Sequence, residues 1–410
     1  MKTIQFQEII ECSSQQSLLT GQAGFGIRTL TEGMNYELAR SICEQENFAY
    51  EVGIANQLTL EAITQDASIT RQYPRTLKYL VCPTDNGETK YIVACTTYIG
   101  IDYGYFCQHN SAQRAGTNYI ADILVFDEEP DMQLISQLLE QEKFLPVDNT
   151  CTPDNPELQA LLTGEPAYLK PREITVEEKQ HGDEEGFHAR ENIHINKQTA
   201  LVAIALLQAK LNERTLQDAS LQKIVFQARE AKIPSILRDF SILPNELTHG
   251  KYFQTNYLQG YGMPHGYQMI FLNEHNQEEV YIDNYVYANL DDESFRNVDT
   301  ENKCFLQIRK AAENDDYPQF RKHLEIICSL IANPQNFEDK DWELTIDPET
   351  GLPVIIDVRD EEDENEESES KESENENSES KKDLRKHGGF WKTLKKKLFK
   401  SNNNRKQSNQ

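Results

Sequence analysis

The chain is short of the features on which most enzyme signatures rest. None of its eight cysteines forms a Cys-x-x-Cys pair, so neither a zinc ribbon nor a thioredoxin-like redox motif is expected. There is no His-Glu-x-x-His helix and no cysteine–histidine set with zinc spacing. No apolar run reaches the length that spans a bilayer, and no basic n-region with an apolar core opens the chain as a secretory signal does. The reading is reduced, structural cysteines in a cytoplasmic protein. Only two tryptophans occur, and one of them, Trp391, lies in the C-terminal tail.

Basic charge is scarce as well. The net charge is -27, with 41 Lys and Arg against 68 Asp and Glu. From Asp360 to Glu379 twelve acidic residues face one lysine, and from Lys381 to Gln410 eleven basic residues face one aspartate. These two blocks nearly cancel, so residues 1–359 carry almost all of the net negative charge. A body of that sign does not reward a phosphate backbone, which argues against general nucleic-acid binding.

What is present divides the sequence into five stretches. Residues 1–150 read as a strand-rich domain, with strands at 3–12, 76–82, 90–99 and 118–126 and helices at 35–46 and 131–142. Asn86-Gly87 between two β-branched runs marks a hairpin. Residues 151–196 are polar and proline-bearing and read as a connector. Residues 197–358 form a second α+β unit. Its helix at 197–214 is apolar around most of its circumference, as a core helix is. Helical character continues over 219–231, strands follow at 268–274 and 279–290, and further helices at 303–313 and 317–332. No βαβ alternation is visible. Residues 359–384 are an acidic segment too poor in apolar residues to fold, and 385–410 form a basic amphipathic tail. The fold class is α+β.

Three constellations could carry chemistry. GQAGFGIRTL (21–30) has the glycines of a phosphate loop, but Gly26 is followed by the strand-like Ile27-Arg28-Thr29-Leu30, with no Walker lysine and no helix. It reads as a turn or bulge between strands. Cys107 and His109 would share a strand face as thiol and imidazole, without a nameable third group to orient them. Arg28, Arg114, Asn118 and Asp122 read as a polar network. Asn118 and Asp122 share one face of their strand, able to bind Arg28 or Arg114 as a buried cluster or as a ligand site. No cofactor or metal is expected. In the tail, Phe390, Trp391, Leu394 and Leu398 fall in one arc of a helical wheel and Phe399 sits further round. Lys392, Lys395, Lys396, Lys397 and Lys400 occupy the other side, an arrangement suited to an anionic membrane surface or a partner groove.

The first 130 residues also resemble the N-terminal domain of the bacterial GTPase-associated proteins. The resemblance lies in Gly24-Phe25-Gly26 with Arg28, and in Arg114-Ala115-Gly116-Thr117-Asn118-Tyr119-Ile120-Ala121. A weaker likeness extends to 238–257. Family members often carry His after that alanine, where this chain has Asp122, so no role of that histidine transfers. The resemblance implies a non-enzymatic adaptor or regulatory subunit that accompanies a GTPase or other NTPase in a conflict or immunity system. Its tail would make it peripheral on the inner membrane. The alternatives are a cysteine-dependent hydrolase using Cys107 and His109, and an effector that perturbs membranes through the tail.

Overall fold

Strand β1 (Lys2–Ser14) is the longest strand described and organises what surrounds it. Its first half pairs with β6 (Arg172–Val176) and its second half lies between β2 (Gly24–Leu30) and β5 (Tyr119–Phe126), all antiparallel. The computed structural model describes residues 2–46, 48–50, 58–66, 69, 73–84, 87–104, 118–141, 143–144, 156–176, 193–215, 220–256, 266–272, 284–333, 342–346 and 353–357. The chain divides after Asp357, and both tail segments, 359–384 and 385–410, lie outside the described residues.

From β5 the sheet continues through β4 (Thr89–Tyr98) and β3 (Thr76–Pro83), joined as an antiparallel hairpin. Gly87 at its turn takes φ 82°, the positive φ that glycine tolerates. Beyond β3 come β8 (Phe253–Gln254), β9 (Met269–Leu272), β7 (Ile224–Gln227), β10 (Val286–Asn289) and β11 (Ser294–Arg296). Stretches 1–150 and 197–358 therefore meet in one mixed sheet of eleven described strands, joined where Lys78 pairs with Gln254 and Tyr79 with Phe253. The fold is α+β.

Helices cover both faces, which is why β5 is buried at every position. Leu124 and Phe126 face one core, with α3 (Met132–Glu140), α5 (Lys197–Thr215), α6 (Ile233–Ile242), α8 (Lys303–Glu313) and α9 (Tyr317–Ala332). Ile123 and Val125 face the other, with α1 (Tyr36–Gln45), α2 (Leu60–Gln65) and α4 (Pro156–Thr163). The helix starts follow local chemistry. Asn35, Thr59, Asp131, Asn302 and Asp316 each accept a hydrogen bond from a first-turn N–H of the helix they cap. Core helix α5 is buried from Thr199 through Ala209, as its all-round apolarity predicts. A short helix α7 (Asn245–Thr248) and a hairpin of β12 (Trp342–Ile346) with β13 (Pro353–Asp357) complete the described chain.

Three expectations are corrected. Residues 219–231 are not helical, because Ile224–Gln227 is a buried strand between two 3₁₀ turns. A four-residue strand covered on both faces shows no period-2 signal. The missing βαβ alternation is present in altered form, since β8, β9, β7 and β10 run parallel and α6 lies in the connection from β7 to β8. The connector 151–196 contains α4 and β6.

Candidate functional site

The strand directions gather one end of the sheet. Strands β1, β4, β7, β8, β9 and β10 finish there, and β2, β3 and β5 begin there. The carboxyl ends of parallel strands are where open α/β sheets bind ligands. Cys107, His109 and Arg114 lie outside the described residues.

At the edge, the glycine stretch is resolved as strand and turn. Gly24–Leu30 pairs with β1, and the register skips Arg28: Ile10 faces Thr29 while Glu11 faces Ile27. Arg28 is thus the extra residue of a β-bulge, a feature that re-aims a side chain. It is 3% exposed. Its Nε donates to the Leu161 carbonyl, Nη1 to that of Gln16 at 2.9 Å, and Nη2 to that of Gly164 at 2.7 Å. Burial lowers the Arg28 pKa, partly offset by the Cys12 thiol. The guanidinium is a clasp that fixes the end of α4 and the turn after β1 onto β2. Thr29 adds a bond from its hydroxyl to the Ala167 carbonyl, and the Leu169 N–H donates to the Leu30 carbonyl at 2.8 Å. Together these cover the free edge of β2, which otherwise offers unpaired groups to another chain.

The expected bond from Asn118 or Asp122 to Arg28 does not form. Asn118 Nδ2 donates to the Tyr98 hydroxyl at 3.1 Å, and that hydroxyl also accepts the Leu58 N–H at 3.0 Å. Asp122 lies fully buried beside Glu8, with which it shares a hydrogen bond. Glu8, 1% exposed, takes Arg172 Nη1 on both carboxylate oxygens at 2.8 Å. Arg172 Nη2 donates to the Lys143 carbonyl at 2.6 Å, and its guanidinium lies over the Phe6 ring. Burial raises the Glu8 pKa, while Arg172 and Asp122 act against that rise. Among the described residues Asp122 reaches a cation through Glu8, and that cation is Arg172 rather than Arg28, while Asn118 stands apart with Tyr98 and Arg114 lies outside the described residues.

Sequence reading also missed Ser13 and Asp102. The Ser13 hydroxyl donates to the buried Asp102 carboxylate and accepts the Gly104 N–H at 3.2 Å. A Cβ on Gly104 would meet the Gly24 nitrogen and Ser13 Oγ at 2.8 Å, so only glycine permits this contact. Motif glycine Gly24 is thereby a packing surface for Gly104.

A further carboxylate, Glu11, is 8% exposed and raised to about 7 by burial. The sign follows from linkage. A carboxyl raised from its ordinary 4.5 favours the protonated fold, so its contribution is lost as pH climbs from 4.5 through 7. Glu11→Gln is expected to match the parent at pH 5 and to exceed it at pH 8 by as much as about 3 kcal/mol, read by urea denaturation at both values. Equal differences at the two values contradict the assignment.

Burial pushes the thiols of Cys12, Cys95 and Cys328 up to about 12 and that of Cys43 higher, which holds them protonated and unreactive. Among the described residues no group of three or more His, Cys, Asp or Glu is placed to hold a metal ion. No described helix is long and apolar enough to cross a membrane. No protein-family model matches the chain, and no curated protein matches it.

Proposed function

We propose that the protein is a non-enzymatic adaptor or regulatory subunit of a bacterial NTPase-linked conflict system. Its body binds a GTPase or other NTPase, and residues 385–410 dock on an anionic inner-membrane surface. The observation that supports this most is the use made of Arg28. The arginine of the glycine-aromatic-glycine strand spends its donors on three main-chain carbonyls, so the motif that carries the family resemblance acts as framework. The same holds for Asn118, tied to Tyr98. A framework of this kind presents loops to partners without requiring chemistry of its own.

The membrane half of the reading rests on the tail sequence. Phe390, Trp391, Leu394 and Leu398 supply an apolar arc, with Phe399 beside it, and Lys392, Lys395, Lys396, Lys397 and Lys400 supply the charge. Each lysine near an anionic leaflet is worth about 1 kcal/mol. Full-length protein is expected to co-sediment with phosphatidylserine-containing vesicles and to be released by salt, whereas a chain ending at residue 384 stays in the supernatant. Equal sedimentation of both chains removes the tail from the account.

A second reading, a hydrolase using Cys107 and His109, draws on one observation: β4 ends and β5 begins at the edge where the parallel strands end, and both residues fall between these strands in sequence.

A further inference from the structure

Among the described residues the exposed large apolar side chains are Leu19, Tyr168 and Leu306. One such residue by itself is ordinary on a protein surface. Leu19 and Tyr168, 67% and 60% exposed, are not isolated, because the outer edge of β2 brings them together. The Leu18 N–H donates to the Ile27 carbonyl at 3.1 Å, and the Leu169 N–H donates to the Leu30 carbonyl at 2.8 Å. Ile27 and Leu30 stand three residues apart on β2, about 10 Å along a strand. Two turns are therefore seated on one edge, with Leu19 on the first and Tyr168 on the second.

Both turns are fixed from beneath. Leu18 and Leu169 pack against the core that Ile123 and Val125 face, so each exposed residue has a seated neighbour. Arg28 donates to the Gln16 carbonyl in the first turn and to those of Leu161 and Gly164 before the second. One guanidinium thus ties the two together. Within the first turn the Ser17 and Thr20 hydroxyls bond at 2.6 Å, and in the second the Thr29 hydroxyl holds Ala167. A backbone fixed in this way gives up little freedom when its surface is covered, and tyrosine is a common anchor of such contacts.

We infer that the Leu19 and Tyr168 patch is the surface on which the NTPase docks, an inference that rests on the adaptor reading. The charge around the patch selects the occupant. Glu32, Glu165 and Glu173 flank it, all exposed, against one exposed lysine, Lys170. A second copy would set this acidic rim against itself, and an anionic lipid surface or a nucleic acid would be repelled too. The surface that fits is apolar at its centre, where it covers Leu19 and Tyr168, and carries lysine or arginine at its rim.

The test uses full-length protein in the native host, with the photocrosslinker p-benzoylphenylalanine at position 168 and, as a control on α8, at position 306. Cross-linked proteins are identified by mass spectrometry. An NTPase is expected from position 168 and not from 306. Affinity capture in parallel compares the parent with the Leu19→Ser, Tyr168→Ser double variant. Both side chains are exposed, so the thermal midpoint should match the parent's while the recovered NTPase falls about tenfold or more. An NTPase recovered equally by both chains, or cross-linked from 306 and not from 168, overturns the docking surface and leaves the adaptor reading standing. A cross-link from 168 to a second copy of the chain overturns the choice of occupant. No NTPase captured even by the parent overturns this inference and the adaptor reading together.

Discussion

Arg28→Met is expected to lower the unfolding free energy by about 4 kcal/mol. The side chain is buried and supplies the carbonyls of Gln16, Leu161 and Gly164 with donors. Each carbonyl left without one costs about 1–3 kcal/mol if it stays buried. Methionine recovers part of the stem packing, and the carbonyls nearest the surface find water, which keeps the sum below the upper limit. The loss is also localised. Residues 156–169 are held to β2 by this guanidinium, by Thr29 and by the Leu169 bond. Limited proteolysis of the variant should therefore show a cut in that stretch that the parent resists, before any cut in β3 to β5. Denaturation in urea gives the magnitude. A loss below about 1 kcal/mol, or no added cleavage in 156–169 relative to the parent, removes Arg28 as the clasp.

Arg172→Met is the second large effect, at about 3–5 kcal/mol, the usual cost of removing one partner of a buried pair. Glu8 would keep its burial and its contact with Asp122 while losing the charge that favours its ionised form. Because burial already raises Glu8, the variant should lose most stability where the carboxylate is ionised. The deficit grows as pH rises above the ordinary carboxylate range and shrinks as pH falls toward it. Glu8→Gln in the same chain should recover much of the loss, since no unpaired buried charge remains. The double-mutant cycle isolates the pair. If the double variant is as unstable as Arg172→Met alone, the cost lies in the Phe6 ring contact and the Lys143 carbonyl, not in the charge.

Much of the fold can be read from local pattern, and the failures share a cause. Helices α1, α3, α8 and α9 announce themselves by spacing and by the Asn and Asp caps before them, because a helix covered on one side writes its 3.6-residue period into the chain, and α5 announces itself by being apolar all round. The hairpin of β3 and β4 was legible from Asn86-Gly87. Strand β7 was not, since IVFQ between polar turns carries no period and its strand character comes only from β9 and β10 on either side. The parallel block was hidden for the same reason.

The site divides in the same way. Asn118 stands just before β5, Asp122 within it and Arg28 within β2 rather than at its end, and their partners lie far along the chain. Arg28 binds carbonyls more than 130 residues away, and Asp122 meets Arg172 only through Glu8. Main-chain acceptors leave no trace in residue identity. The one sequence signal for the missed acids was the placing of Glu8 and Glu11 within the apolar run of β1. Charged residues in a strand buried on both faces call for a partner, and among the described residues Glu8 has one in Arg172.

The central claim is that the body is a binding framework for an NTPase. Affinity capture from the native host tests it, using full-length protein, the chain ending at residue 384, and full-length Cys107→Ala, with captured proteins identified by mass spectrometry. The account predicts a GTPase or related NTPase with all three, because its binding surface lies on the body and needs no thiol. No NTPase with any of them, or one lost in Cys107→Ala, contradicts the adaptor reading.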